Sequence, residues 1–352
     1  MKLAEKKNIL NRLGVIMNHL GDSESWPGYS IGINQEEYDQ LNELIQRVHI
    51  YNGWFKEEQV RSSFKAIAGW LNEESLNNWL AEYNVQDDSG KKVAIIMAGN
   101  IPLVGFHDFI SVFLAGHKAS IKLSSEDQHL LPALIKTMML FDENMKDWVE
   151  IANSPLQGFD AVIATGSDNS SRYFESYFGK YPNIIRKNRS SIAFIDGTET
   201  KEELKLLGED IFHYYGLGCR NVSQLWIPEN FELDRFFEAI YDFNEIIHHN
   251  KYANNYDYNK AVMLLNKENL LDNGFILLKE DDSLHSPLAV LHYVRYKKPE
   301  DFERFVDQQK DQIQLIVGKN YIPFGHAQVP SLTDYADGVD TMQFLVSLYV
   351  KY

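Results

Sequence analysis

Cys219 is the only cysteine in this chain of 352 residues. Gly216 and Gly218 precede it, and a strand-like run follows it. A lone thiol cannot form a disulfide within the chain, and it has no cysteine or histidine neighbours that would complete a structural metal site. The thiol is therefore either an inert packing residue or a nucleophile, and position alone favours packing.

A second candidate for chemistry is Asn100, in the segment Ala-Gly-Asn-Ile-Pro-Leu-Val-Gly over residues 98–105. This segment follows a strand-like run. Open α/β sheets place ligand-binding groups at the C-terminal edge of their strands, and an asparagine amide there could donate to a developing oxyanion. The alternative is a turn formed by Gly-Asn before Pro102, which is favoured where no other residue supports the site.

Two further strand ends carry residues of the ligand-binding type. Lys122, Ser124 and Ser125 follow the next strand-like run and could hold a ribose or a phosphate. They could equally form a solvated strand end in which a serine caps the next helix. Gly166 and Ser167 follow a third run and predict a tight turn with a helix cap, whose amides face the same sheet edge.

Two histidines and a basic run complete the set of candidates. His213 lies six residues before Cys219, and His326 lies in Phe-Gly-His-Ala-Gln. Either could shuttle a proton, although a lone histidine is more often structural. Residues 172–189 carry five basic side chains against Glu175 alone. This run could bind phosphates or could be a solvated helix end and loop.

The composition limits the class of protein. Hydrophobic residues make up 44% of the chain, which supports a core without disulfides or metals. The net charge of −16 opposes non-specific attraction to nucleic acid or anionic membrane. The first residues mix charges, and no apolar stretch approaches ~18 residues. We therefore expect a cytoplasmic protein that handles small molecules, with no nucleic acid and no membrane insertion.

The elements that must position these residues follow from hydrophobic periodicity. Residues 1–85 carry helical periodicity and predict a helical lead-in. Residues 86–190 and 191–327 each alternate strand-like and helix-like segments, which predicts two doubly wound α/β domains. The segment up to Val350 predicts a strand, so that residues 328–352 would return to the first of these domains or to a neighbouring subunit.

Taken in chain order, the candidates resemble the motifs of the aldehyde dehydrogenase superfamily. These motifs are an Asn-x-Pro, a Lys-x-x-Glu-like segment, a Gly-Ser turn and a Gly-x-x-Cys loop, matched here at Asn100, Lys122, Gly166, Ser167 and Cys219. The short length, the Ala-Gly-Asn-Ile-Pro form and the Cys-Arg-Asn-Val-Ser segment look more closely like the acyl-CoA reductase family, the LuxC-type fatty-acid reductases. The resemblance covers roughly residues 90–350.

The resemblance implies a role for each of these residues. Cys219 would be the nucleophile that takes up an acyl group, and Asn100 with the Cys219 backbone amide would form the oxyanion hole. The first α/β domain would bind a nicotinamide cofactor, and the second would be catalytic. The implied cofactor-binding residues are Lys122, Ser124, Ser125, Gly166 and Ser167.

Two departures from the superfamily pattern favour its thioester-using branch. Acid-forming members carry a Glu-Leu-Gly-Gly segment whose glutamate activates water, but here no Asp or Glu occurs between Glu175 and Asp196. An acyl-cysteine would then be hydrolysed poorly and could exchange with a thiol such as coenzyme A. Ser125 replaces the glutamate of the Lys-x-x-Glu segment, which favours NADPH, while the adjacent Glu126 leaves NADH open.

The sequence thus predicts NADPH-dependent reduction of an acyl thioester, such as acyl-CoA, to an aldehyde through an acyl-cysteine. The alternatives are a cysteine acyltransferase or thioesterase without nicotinamide, and a catalytically silent protein on the same fold. We expect a homo-oligomer without a metal, and a partner protein that delivers the acyl group stays open.

Overall fold

The computed structural model describes residues 1–152 and 154–349. The chain divides into two compact units. The first unit contains residues 1–187 and the segment that begins at Ser331, and the second contains residues 188–330. Each unit has an apolar core of its own.

The first unit begins with helices, as the periodicity predicts. These are α1 (Leu3–Gly21), α2 (Gln35–Arg47), α3 (Glu57–Trp70) and α4 (Glu73–Leu80). In α1, the fully buried Leu13, Ile16 and Leu20 are spaced three and four residues apart, so they form one stripe. That stripe packs in the same core as the first sheet.

The first sheet is doubly wound, as predicted. Its strands are β1 (Lys92–Ile96), β2 (Lys118–Lys122), β3 (Val149–Ile151), β4 (Ala161–Thr165) and β5 (Asn183–Arg186), with helices α5 (Phe106–Leu114), α6 (Leu130–Phe141) and α7 (Asp168–Phe178). Within the described residues the order is β3-β2-β1-β4-β5, with parallel pairings. The order reverses between β1 and β4. The pattern missed β3 and β5, which are only three and four residues long.

The second unit contains a second, mostly parallel sheet. Its strands are β6 (Ser190–Phe194), β7 (Val222–Pro228), β8 (Leu271–Asp272), β9 (Leu277–Glu280), β10 (Val290–Tyr296) and β11 (Ile313–Val317). Its helices are α8 (Lys201–Phe212), α9 (Leu233–Ala239), α10 (Asn250–Leu265) and α11 (Pro299–Gln309). The order is β11-β6-β7-β10-β9-β8 in the described residues, and β8 pairs antiparallel with β9.

Helix α10 has no counterpart in the sequence-based prediction. Tyr252 and Tyr256 are buried on one face, but Tyr258 and Leu265 are exposed on others. The apolar residues therefore form no single stripe, and the helical period cannot be recognised from the sequence.

The prediction of a strand in the C-terminal segment is wrong. Helix α12 (Thr341–Ser347) occupies most of the segment predicted as a strand, and only Val350 of that segment lies outside the described residues. The Asp340 side chain caps the helix by accepting the N–H of its third residue. Met342 and Leu345 are fully buried and three residues apart, a spacing that a helix buries on one side and a strand does not.

A buried ion pair joins three elements of the first unit. Arg186 lies at the end of β5, and its Nη2 group donates a hydrogen bond to Asp108 Oδ1 of α5 at 2.8 Å. The same Nη2 group donates to the Thr341 hydroxyl of α12 at 3.0 Å. The side chains of Arg186 and Asp108 are 5% and 8% exposed. Arg186 is therefore neither a phosphate ligand nor a solvated residue, and Lys187 of the same basic run pairs with Glu175 at the surface.

We expect Arg186→Met to lower the free energy of unfolding by ~3–5 kcal/mol, because it leaves the Asp108 carboxylate buried without its partner. Lys187→Met is a matched control on the next residue. It removes an exposed ion pair with Glu175 and should cost less than ~1 kcal/mol. Urea unfolding followed by circular dichroism measures both, and equal losses would contradict the prediction.

Candidate active site

Three strands of the first sheet end at one level. Ile96 of β1 pairs with Lys122 of β2 and with Ala164 of β4. The loops that follow, which carry Asn100 and Ser167, therefore leave the same edge of the sheet. This is also the point where the strand order reverses, and open α/β sheets bind ligands there.

The loop after β1 presents Asn100 at the surface of the first unit. A Cβ atom on Gly99 would lie 2.6 Å from Ser124 Oγ, so the close approach of the two loops requires glycine. Ser124 Oγ accepts the N–H of Glu126 at 3.2 Å. The cap alternative is excluded, because α6 begins after His129 and has no side-chain cap.

Two buried polar side chains hydrogen-bond to the backbone of the same loop. Ser63 Oγ of α3 donates to the carbonyl of Pro102 at 2.9 Å, and the Leu103 N–H donates to Asp127 Oδ2 at 2.9 Å. Leu103 has φ of 57°, a left-handed conformation that is uncommon outside glycine. Burial raises the pKa of Asp127. Sequence reasoning missed Ser63 and Asp127, because their partners are backbone atoms 39 and 24 residues away.

The loops after β2 and β4 carry the predicted cofactor residues. Lys122 is partly exposed and Ser125 is exposed. A Cβ atom on Gly166 would lie 2.9 Å from the Phe174 ring, so α7 packs closely against this turn. Ser167 Oγ accepts the N–H of the third residue of α7 at 3.3 Å and caps the helix. The N-terminus of α7 thus lies at the sheet edge, where its amides suit an anion.

In the second unit, Cys219 is exposed in the turn between α8 and β7. Before it, Tyr214 and Tyr215 adopt left-handed backbone conformations, with φ of 49° and 59°, and Gly216 follows with φ of 78°. Such a run of side-chain-bearing residues is strained. Both tyrosine side chains are 7% exposed, so packing supports the strained segment.

The Cys219 turn is hydrogen-bonded at both ends. Asn221 N–H donates to the Gly218 carbonyl at 3.0 Å, and the Gly218 N–H donates to Asn221 Oδ1 at 2.8 Å. Ser191 Oγ donates to the Cys219 carbonyl at 2.8 Å. The peptide groups on either side of the thiol therefore have fixed orientations.

The loop that carries His326 is bonded to the same region. Asp210 of α8 accepts the N–H groups of Gly325 and Ala327 at 2.7 and 2.8 Å. Burial raises the pKa of Asp210 to about 6. Arg220 Nε donates to the Ala327 carbonyl, which links this loop to the cysteine turn.

Both candidate histidines thus lie on segments attached to the end of α8. Burial lowers the pKa of His213, because the charged imidazole is poorly solvated there, and so favours the neutral ring. His326 is exposed, and its Nδ1 lies 3.1 Å from the Phe324 carbonyl oxygen. The second unit therefore collects His213, Cys219 and His326, while Asn100 and the cofactor candidates belong to the first.

A comparison with known protein families identifies the family of this chain. The family described as Acyl-CoA reductase (LuxC) matches residues 43–241, more than half of the chain. This chain belongs to that family. The matched range of the LuxC family includes Asn100, Lys122, Ser167 and Cys219 and ends before His326.

One curated relative agrees with the LuxC assignment. The long-chain acyl-protein thioester reductase of Aliivibrio fischeri is 24% identical over 322 residues, covering 78% of this chain and 63% of that protein. The chain therefore spans less than two thirds of the length of this curated relative.

Solved aldehyde dehydrogenases share the fold of this LuxC-family chain. Aldehyde dehydrogenase 21 from Physcomitrella patens has a TM-score of 0.62 at 13% identity, covering 91% of this chain and 74% of its own. The Mycobacterium tuberculosis aldehyde dehydrogenase complexed with NAD+ has a TM-score of 0.57 at 13% identity, covering 88% and 72%. The predicted aldehyde-dehydrogenase-like fold is confirmed.

Besides Ser63 and Asp127, three residues that hydrogen-bond near the cysteine turn of this LuxC-family chain were missed by sequence reasoning: Ser191, Asp210 and Asn221. The nearest signal was Asn221 itself, two residues after the cysteine. Its bonding partners are backbone groups of residues 210–218, and their proximity depends on how α8 ends. Separately, no helix within the described residues is long and apolar enough to cross a bilayer.

The raised pKa of Asp210 leads us to expect that the stability of this LuxC-family protein depends on pH. Its folded-state pKa of about 6 lies above the ordinary 3.8, so the folded chain retains a proton that the unfolded chain has released between these values. Its contribution is therefore complete below about pH 4 and is lost as the pH rises through about 6, by at most ~3 kcal/mol.

Urea unfolding of the native protein and of Asp210→Asn at about pH 4.5 and about pH 7 measures this effect. The native protein should lose stability relative to the variant as the pH rises. A difference between the two proteins that stays constant across this range would contradict the prediction.

Proposed function

We propose that this protein uses NADPH to reduce an acyl thioester to an aldehyde through an acyl-cysteine at Cys219. The observation that carries the proposal is the exposed thiol on a turn hydrogen-bonded at both ends. A packing thiol would be buried, whereas a nucleophile needs access to its substrate. Membership of the acyl-CoA reductase family and a relative named as an acyl-protein thioester reductase support a thioester substrate.

The proposed reaction begins with acylation. The Cys219 thiolate attacks the thioester carbonyl carbon, the new carbon–sulfur bond forms, and the bond to the sulfur of coenzyme A breaks. The departing thiolate takes up the proton that the cysteine lost. His213 is proposed to hold this proton in between, because Asn221 hydrogen-bonds both to its carbonyl and to the turn that carries Cys219. The exposed His326 is the second candidate for this role.

Asn100 and the Cys219 backbone amide are proposed as the donors to the oxyanion of the tetrahedral intermediate. Oxyanion stabilisation depends on donors that are already oriented before the charge develops. The contacts of Ser63 and Asp127 support this role, since they hold the Asn100 loop by buried hydrogen bonds.

The edge of the first sheet fits a nicotinamide cofactor. Lys122, Ser124 and Ser125 offer a cation and hydroxyls for a ribose and its phosphate, and the turn at Gly166 and Ser167 leads to the N-terminal amides of α7, which suit a pyrophosphate. A hydroxyl in place of a carboxylate at position 125 favours NADPH, with NADH as the alternative. When bound, the cofactor supplies the hydride that the acyl group needs to become an aldehyde.

The acyl-cysteine is proposed to resist hydrolysis. Residues 176–195 contain no Asp or Glu, and the two carboxylates that flank this stretch have partners: Glu175 pairs with Lys187, and Asp196 accepts the Thr198 N–H at 2.8 Å. The stretch thus lacks the glutamate that activates water in the acid-forming members, and this absence is the basis of the proposal. This separates the proposed reaction from the acid-forming one and from a thioesterase.

An assay with a panel of acyl-CoAs tests the function. With NADPH present, the absorbance of the reduced cofactor should fall and aldehyde should form, and Cys219→Ala should abolish both. Without NADPH, intact-mass spectrometry should detect an acyl adduct on the native protein only. Release of free acid would instead indicate a thioesterase. Transfer of the acyl group to an added thiol without cofactor use would indicate an acyltransferase. Absence of any acyl adduct would indicate a catalytically silent protein.

Two single variants should fail in opposite ways if the roles of Asn100 and Lys122 are as proposed. Asn100→Ala should lower kcat by ~10²–10³-fold, the usual cost of one oxyanion donor, while NADPH binding is unchanged. Lys122→Ala should raise the KM for NADPH and erode the preference over NADH, while kcat is largely retained. Steady-state kinetics with both cofactors measures this, and a variant with the other's profile would refute the assignment.

A further inference from the structure

Asn221 makes an unusual set of contacts next to the proposed nucleophile. Its side chain is 4% exposed. Oδ1 accepts the Gly218 N–H at 2.8 Å, and Nδ2 lies 3.2, 3.2 and 2.8 Å from the carbonyl oxygens of Asp210, Ile211 and His213. One side-chain amide therefore bonds both to the turn that carries Cys219 and to the end of α8.

The way α8 ends explains why a donor is needed there. The last carbonyls of a helix have no partner within the helix. Here the chain turns sharply through Tyr214, Tyr215 and Gly216, all with positive φ. The carbonyl groups of Asp210 and Ile211 at the end of α8 are in the interior of the second unit. A polar group without a hydrogen bond there would lower the stability of the fold. Asn221 Nδ2 supplies the hydrogen bonds.

The same residue closes the cysteine turn. Its backbone N–H donates to the Gly218 carbonyl while its side chain accepts the Gly218 N–H, so Cys219 and Arg220 lie between two reciprocal hydrogen bonds. Ser191, which is fully buried on β6, donates its hydroxyl to the carbonyl of Cys219. The position of the thiol is thereby tied to two regular elements, α8 and β6.

We infer that Asn221, together with Ser191, is a positioning residue for Cys219. This inference rests on the proposed function and assigns to these residues the orientation of the thiol toward the thioester carbonyl. Neither residue touches the acyl group in this role. Loss of the orientation should slow acylation, because small displacements of a reacting atom have large kinetic cost.

Asn221→Asp is the sharpest variant. It keeps the acceptor for the Gly218 N–H but replaces the donor with an oxygen that faces three carbonyls. We expect the rate of acyl-adduct formation from acyl-CoA to fall on the order of 10²-fold. Alkylation by iodoacetamide, a small reagent with little orientational demand, should change less than ~3-fold on the same reasoning.

The pH profile gives a readout that a general structural defect does not share. Burial raises the pKa of the introduced carboxyl group, and once protonated it can donate to a carbonyl again. The ratio of variant to native acylation rates should therefore rise as the pH falls from about 8 to about 6. Asn259→Asp is the matched control, because Asn259 Nδ2 also donates to a backbone carbonyl, that of Leu288 at 2.8 Å. It should leave acylation unchanged.

Ser191→Ala keeps the inference testable if Asn221→Asp does not fold. It removes one hydrogen bond to the Cys219 carbonyl and should slow acylation ~10-fold with little change in Tm. Native-like acylation rates in both variants would overturn the inference while leaving the proposed function intact. A native protein that forms no acyl adduct would overturn both, and the two failures are thus distinguished.

Discussion

The parallel pairing of β1 with β2 on one side and β4 on the other determines where the first unit can hold a ligand. The central residues of β1, from Val93 to Ile95, are fully buried. A slip by one residue would exchange the faces of every side chain, so burial locks the register. The locked register sets Ile96 level with Lys122 and Ala164. The loops that carry Asn100, Ser124 and the cap of α7 then share one edge by geometry.

Buried polar groups turn these loops into defined structures. A polar group left unpaired in the interior costs about 1–3 kcal/mol, so each buried donor or acceptor restricts the backbone it bonds. Asp127 does this for the Asn100 loop and Asn221 for the cysteine turn. The Arg186–Asp108 pair does the same for β5, α5 and α12. Orientation of functional groups before the substrate arrives is what catalysis by donors and nucleophiles requires.

The proposed chemistry depends as much on a missing group as on those present. Acyl transfer to a thiol is common to acid-forming and aldehyde-forming enzymes, and the fate of the acyl-cysteine depends on whether a base activates water. No carboxylate lies between Glu175 and Asp196, and both of these have partners. In the proposed function, Lys122 and the turn before α7 hold the cofactor, Asn100 donates to the oxyanion, and the Cys219 thiol takes up the acyl group.

The sequence by itself determined most of the longer strands and most helices, because apolar runs such as 93–96 and stripes such as that of α1 depend only on local spacing. It also supplied the order of Asn100, Lys122, Ser167 and Cys219, which led to the family. It could not distinguish helix from strand at α12, whose burial pattern depends on what packs against it. Nor could it assign partners to Arg186 or Asn221, because those contacts join residues far apart or helix ends whose geometry is non-local. Tertiary structure decided these, since hydrogen bonds form between groups that folding brings within about 3 Å.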